Sequence, residues 1–180
     1  MKKLLLFTVT AAMLLSLAAC SQSAKPAAEP EKPAQTEQAE TTDTENVQIP
    51  NPWTDYDSKD DAAQAAGFDL AVPDEISGCS EKSYRVLNAE GDVMFEIIYA
   101  SGEDETARIR KAPGADDISG DYNEYAETET IDVGGVRVTM KGADGLVKLA
   151  AWTSGDYSYA LSVENAIGQN DMAALVSNIQ

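Results

Sequence analysis

From Lys82 to Val163 the large apolar residues recur at every second position, interrupted by short turn-forming clusters. Val93, Phe95, Ile97 and Tyr99 make one such set, and Tyr157, Tyr159, Leu161 and Val163 make another. In an extended strand successive side chains point to opposite faces, so this spacing gathers each set on one side; on a helix the same residues would scatter around the axis. The pattern predicts strands near 82–88, 92–100, 105–111, 128–133, 136–141, 146–152 and 157–164. Glu96, Ser158 and Ser162, which fall between the apolar positions, predict a sheet with one dry face and one wet face. The breaks are Glu90-Gly91, Ser101-Gly102, Gly134-Gly135, Asp144-Gly145 and Ser154-Gly155, residues that tolerate positive φ in connections of hairpin length. Sequence neighbours should therefore pair antiparallel.

Helical signals flank this region. Ser58 stands three residues before Asp61, acids occupy the first turn of Ser58–Gly67, and Gly67 suits the exit, so a helix of about two turns is predicted there. Phe68 and Leu70 then continue into the core. At the other end Met172, Leu175, Val176 and Ile179 are spaced i, i+3, i+4 and i+7, one apolar stripe on a helix that starts near Asn170 or Asp171 and must dock on the sheet. The fold class expected is α+β: an N-terminal short helix, an antiparallel β-meander of about six to seven strands, and a C-terminal helix packed on the sheet.

The chain begins Met1-Lys2-Lys3, followed by an apolar run of about 16 residues, short of the roughly 20 that cross a bilayer as a helix. Two lysines, an apolar middle and small residues before a cut read as a signal peptide. Leu17-Ala18-Ala19-Cys20 resembles the lipobox of bacterial lipoproteins, which implies that residues 1–19 are removed and that Cys20 carries the lipid. Two acyl chains on one residue suffice for stable anchoring, so the expected location is the extracytoplasmic face of the cell membrane, lipid-anchored. Residues 20–49 hold the lipidated Cys and an acidic, Pro-rich linker with almost nothing large and apolar. Such a stretch cannot bury enough surface to offset ordering, and is expected to act as a disordered spacer of roughly 30 Å. Residues 50–180 then form a single domain.

The formal net charge is −18, and an excess of that size repels nucleic acid and anionic lipid head groups, so no nucleic-acid partner is expected. Once Cys20 is lipidated, Cys79 has no partner in the chain, and the domain must fold on its core alone. Cys79 reads as a small, half-buried loop residue rather than a nucleophile, because nothing basic adjoins it except Lys82. The sequence contains no histidine, which excludes Ser-His-Asp and Cys-His catalytic sites and His-ligated zinc or copper. Neither G-x-S-x-G, S-x-x-K nor a phosphate-cradling glycine loop is present. No enzyme activity and no cofactor are expected.

Asp60-Asp61-Ala62-Ala63-Gln64-Ala65-Ala66-Gly67-Phe68-Asp69-Leu70-Ala71-Val72-Pro73 is similar to the opening of a domain of unknown function found in lipoproteins, sporulation proteins and anti-sigma-factor-like proteins of Gram-positive bacteria. The hairpin Trp152-Thr153-Ser154-Gly155-Asp156-Tyr157 and the short helix after it resemble that family's close. The resemblance covers most of residues 51–180, implies a surface-facing Gram-positive lipoprotein of uncharacterised role, and brings no catalytic residues.

Two groups of residues are candidate sites. The longest irregular stretch, 112–127, offers Asp117, Ser119, Asp121, Asn123 and Glu124 at near-alternate positions, an oxygen-rich set of the kind that Ca²⁺ takes. Its glycine and acid spacing departs from an EF-hand, in which Gly is sixth and Glu twelfth. If the loop holds a cation, its oxygens should converge on one point. Trp53, Tyr122, Tyr125 and Trp152, with Tyr56, could instead make an aromatic platform for a sugar or a peptide. The function expected is a membrane-anchored, non-enzymatic module binding an extracytoplasmic protein or envelope component, marked by an exposed apolar patch. The alternative is a lipoprotein that binds Ca²⁺ or a small ligand through the acidic loop. A carboxylate-dependent enzyme would need a concave pocket with a buried acid pair.

Overall fold

A computed structural model describes residues 51–89 and 91–180; the expected signal peptide, lipidated Cys20 and linker lie outside the described residues. The chain enters by a short strand, β1 (Trp53–Tyr56), and turns into helix α1 (Lys59–Ala66). The Ser58 hydroxyl accepts from the Asp61 N–H at 3.1 Å and donates to the Asp61 carboxylate at 2.6 Å, so the predicted cap closes in both directions. Gly67 ends the helix at φ 83°. Seven strands follow where the alternation places them: β2 (Glu81–Ala89), β3 (Asp92–Ser101), β4 (Asp104–Pro113), β5 (Glu127–Val133), β6 (Val136–Ala143), β7 (Leu146–Ser154) and β8 (Tyr157–Gly168). Helix α2 (Gln169–Val176) completes the domain.

The α+β expectation is overturned. All eight strands belong to one antiparallel sheet, and each helix is only eight residues long, so the fold is mainly β. The domain opens with a strand rather than a helix; Trp53-Thr54-Asp55-Tyr56 is too short and too polar for a period-2 signal. The sheet is also not one continuous meander, because its order is β1-β2-β3-β4-β8-β7-β6-β5. Each half runs from an edge to the centre, and β4 meets β8 at the junction. Residues 114–126 carry the chain from the centre to the far edge. A connection of that length does not constrain its ends to be adjacent, and residue order holds no record of which edge it reaches.

One face of the sheet carries the core. Cross-strand partners share a face, and the register aligns Tyr84, Ile97, Ile109, Leu161, Ala150 and Met140 in one row of it. Helix α1 packs over β1–β3 and α2 over β7–β8, inserting Ala62, Ala66, Met172 and Val176 into the same apolar cluster. Behind the helices Ala71 and Gln180 exchange both backbone hydrogen bonds, at 2.9 and 3.2 Å, which ties the exit of α1 to the end of the chain. Lys111 also points to this side and is 8% exposed. Its ammonium donates to the Asp69 carbonyl at 2.7 Å and stands 4.6 and 5.2 Å from the rings of Tyr157 and Tyr159. A buried lysine needs such partners, and the ring faces supply negative potential. Burial lowers its pKa, opposed by Tyr157 and Asp69.

The second face is not simply wet. Glu96 is 0% exposed, and Ser158 and Leu149 are buried as well. The cover comes from the crossing segment 114–126.

Candidate functional site

The crossing segment is a strap laid over the second face. Arg110, on β4, holds it down: its Nη1 donates to the carbonyls of Ile118 (3.2 Å) and Ser119 (2.6 Å), while its Nε donates to Glu96 at 2.6 Å. Gly120 makes this approach possible, since a Cβ there would lie 2.4 Å from Arg110 Nη1 and the residue has φ 64°. Glu96 also accepts from Arg85 Nε, and Arg108 Nε lies 3.6 Å from it. One buried carboxylate is thereby shared by three guanidiniums. Trp53 closes the cluster, with the Arg85 and Arg110 guanidiniums 4.7 and 5.8 Å from its ring. Arg108 Nη2 pairs in turn with Glu105 at 2.5 Å.

The strap's own geometry explains the alternation of its oxygens. Asp117 Oδ1 accepts from the Ser119 N–H (2.9 Å), Ser119 Oγ accepts from the Asp121 N–H (3.2 Å), and Asp121 Oδ1 accepts from the Asn123 N–H (2.8 Å). Each side chain bonds the backbone two residues on, three such turns in succession. Asp121 further accepts from Asn123 Nδ2 and from the Tyr125 hydroxyl, and Asp117 lies 3.7 Å from Lys141. Among the described residues no group of three or more His, Cys, Asp or Glu is placed to hold a metal ion. The five residues proposed as calcium ligands are strung along the strap, with the oxygens of Asp117, Ser119 and Asp121 aimed at its own backbone.

These contacts set the local titration. The hydroxyl and N–H of Ser119 lead in holding Asp117 below its ordinary pKa. Burial works to raise that of Asp121, yet the bonds from Tyr125 and Asn123 outweigh it and the net shift is downward. Burial, with the Asp121 bond second, pushes Tyr125 up to about 12.

The four aromatics assigned to one platform are divided. Trp152 lies on the helix side, stacked on Tyr159 at 5.2 Å and 4°. Trp53 is on the strapped face within the arginine cluster, and Tyr122 and Tyr125 are on the strap. Tyr122 is 96% exposed. It forms the rim of a groove of about 490 Å³ between the strap and the ends of β4, β7 and β8. The walls are Tyr125, Asn123, Asp121 and Ser119 on one side and Glu105, Arg108, Lys148, Ser162 and Glu164 on the other. A smaller hollow of about 310 Å³, lined by Met94 and Arg110, lies on the strap's other flank. Ser162, Lys148 and Glu164 carry no motif that sequence reading could have noticed; only the order β4-β8-β7 brings them under the strap.

Of the acids in the groove, Glu105 and Asp121 are half-buried and Glu164 is exposed. None of the three is buried, whereas the paired-carboxylate reading asks for a buried acid in the groove. An extended apolar patch is also missing: among the described residues the large exposed hydrophobics are Tyr122 and Leu146. Cys79 is half-buried in a tight turn whose N–H and carbonyl pair with Ile76, and no described helix is long and apolar enough to cross a membrane. Compared with protein-family models, with curated proteins and with solved structures, the chain matches none.

Proposed function

We propose that this chain is a lipoprotein, tethered through Cys20 outside the cell membrane, whose β-sheet domain is a non-enzymatic module for an extracytoplasmic protein or envelope component. Binding takes place on the strapped face. The observation that carries this reading is Tyr122, a large aromatic held almost wholly in solvent at the rim of the groove. An aromatic of two χ angles offers much contact area at little entropic cost, which is why such residues anchor interfaces. The strap is fixed by Arg110 and by its successive side-chain turns, so little ordering remains to oppose binding. The Leu-Ala-Ala-Cys sequence supports the anchor, and the linker would let the domain reach roughly 30 Å from it.

A photo-crosslinking amino acid at position 122 of the full chain, activated in intact cells, tests the binding face. The expected result is a discrete crosslinked species from position 122 and none from position 174, which is exposed on α2. Crosslinking from 174 alone, or from neither, contradicts the reading.

A further inference from the structure

We infer that the groove beneath Tyr122 is a carbohydrate site that takes a neutral glycan chain, an inference that rests on the binding reading above and names its ligand. A sugar ring presents apolar C–H faces and an equator of hydroxyls, each of which both donates and accepts. A site for it therefore needs an aromatic surface beside fixed donors and acceptors in nearly equal supply. The groove offers Tyr122 and Tyr125 as the aromatics, Lys148 as a donor, Glu164 as an acceptor and the Ser162 hydroxyl as either, with Arg108, Asn123 and Asp121 lining it in bonds to other residues.

Charge argues for a neutral ligand. Arg108 is committed to Glu105 and Glu96, and Asp121 to Asn123 and Tyr125. That leaves Lys148 and Glu164, opposite in sign and in no ion pair among the described residues. Neither a polyanion nor a basic peptide finds an excess of countercharge, and a chain of net charge −18 repels the polyanion over the whole approach. A predominantly apolar ligand fits no better, because the groove is walled by polar side chains. Its volume lies within the roughly 300–1,000 Å³ of ligand sites, and its open shape suits a chain that runs through rather than an enclosed molecule.

The test is an NMR titration of the isotopically labelled full chain, carrying Cys20→Ser to remove the anchor, with chitotetraose, cellotetraose and maltotetraose at up to 10 mM. At least one is expected to shift the amides of residues 119–125 and 162–164, with affinity reduced tenfold or more by Tyr122→Ala and retained in Tyr122→Phe. Tyr122 is solvent-exposed, so both variants should keep the parent's unfolding midpoint. No shift with any of the three, shifts centred on α1 or α2, or unweakened binding by Tyr122→Ala overturns the inference. A protein captured by crosslinking from position 122, together with no glycan shift, would overturn the carbohydrate assignment and leave the binding module standing; failure of both experiments removes both.

Discussion

Glu96 occupies an alternate position in β3 whose neighbours, Phe95 and Ile97, point to the core, so period-2 reading places it on a wet face. It is instead the most enclosed charge among the described residues, because Arg85, Arg108 and Arg110 share its face across the register. The signal available was Arg108 and Arg110 at alternate positions beside Ile109; what it lacked was the strap above them. Removing one partner of a buried ion pair costs far more than removing an exposed one. Glu96→Gln, which keeps the shape and drops the charge, should therefore destabilise the domain by about 2–4 kcal/mol, allowing for the partial exposure of the arginines. Glu105→Gln, at the exposed end of the same network, should cost within about 1 kcal/mol; urea unfolding of the two variants checks the contrast. The strap adds a pH dependence. Asp117 and Asp121 have lowered pKa values in the folded state, so their contribution is full above the ordinary aspartate value of about 3.9 and is lost as pH falls through the folded values. Tyr125 has the opposite sign: raised to about 12, it contributes fully below the ordinary tyrosine value of about 10 and loses that contribution as pH rises towards 12. Asp121→Asn should flatten the acid limb of the unfolding midpoint against pH, and coincident acid limbs for variant and parent would refute the assignment.

At the scale of elements, what was legible was local. Alternation placed seven strands, Ser58 and Gly67 bounded α1, and the stripe of Met172, Leu175, Val176 and Ile179 found the core side of α2 and the residues after it, with Leu175 half-buried and the other three buried. The strand order was not legible, although β8 carried a trace of it. Ser158, Tyr159, Ala160 and Leu161 are buried in succession, as a central strand covered on both faces requires. The near-alternate oxygens of the strap were legible as a pattern but not as one role, because i to i+2 turns and a calcium loop use the same residue types, and Asp117, Ser119 and Asp121 make the turns. Millimolar Ca²⁺ should accordingly leave the thermal midpoint of the protein unchanged. A site filled to 100 times its dissociation constant would add about 2.7 kcal/mol and raise the midpoint by roughly 6–12 °C, and a saturable rise of that size would restore the cation reading. The β6–β7 pair offers a second check. At Gly142 a Cβ would lie 1.8 Å from the Leu146 carbonyl oxygen, where the ladder is irregular on both strands. Gly142→Ala should cost at least about 1–3 kcal/mol, read from the urea midpoint, since backbone rather than a flexible side chain must move.

At the scale of the whole molecule, two four-stranded halves meet at β4 and β8, the helices cover one face, and the chain between the halves covers the other. That division gives the domain a dry side and a side with a groove, and it sets Tyr122, Lys148, Ser162 and Glu164 together from segments far apart in sequence. The proposed anchor belongs to this scale as well. Cys20→Ser should abolish incorporation of an alkyne-bearing fatty acid and release the protein from the membrane fraction, and labelling that persists in the variant would contradict lipidation at Cys20. The most direct test of binding on the strapped face is hydrogen exchange of the full chain, compared between the detergent-purified protein and the protein in intact cells. Slowed exchange is expected in residues 119–125 and at the neighbouring ends of β4 and β8, with α1 and α2 unaltered. Protection confined to the helices or to the β5 edge, or none anywhere, would contradict it.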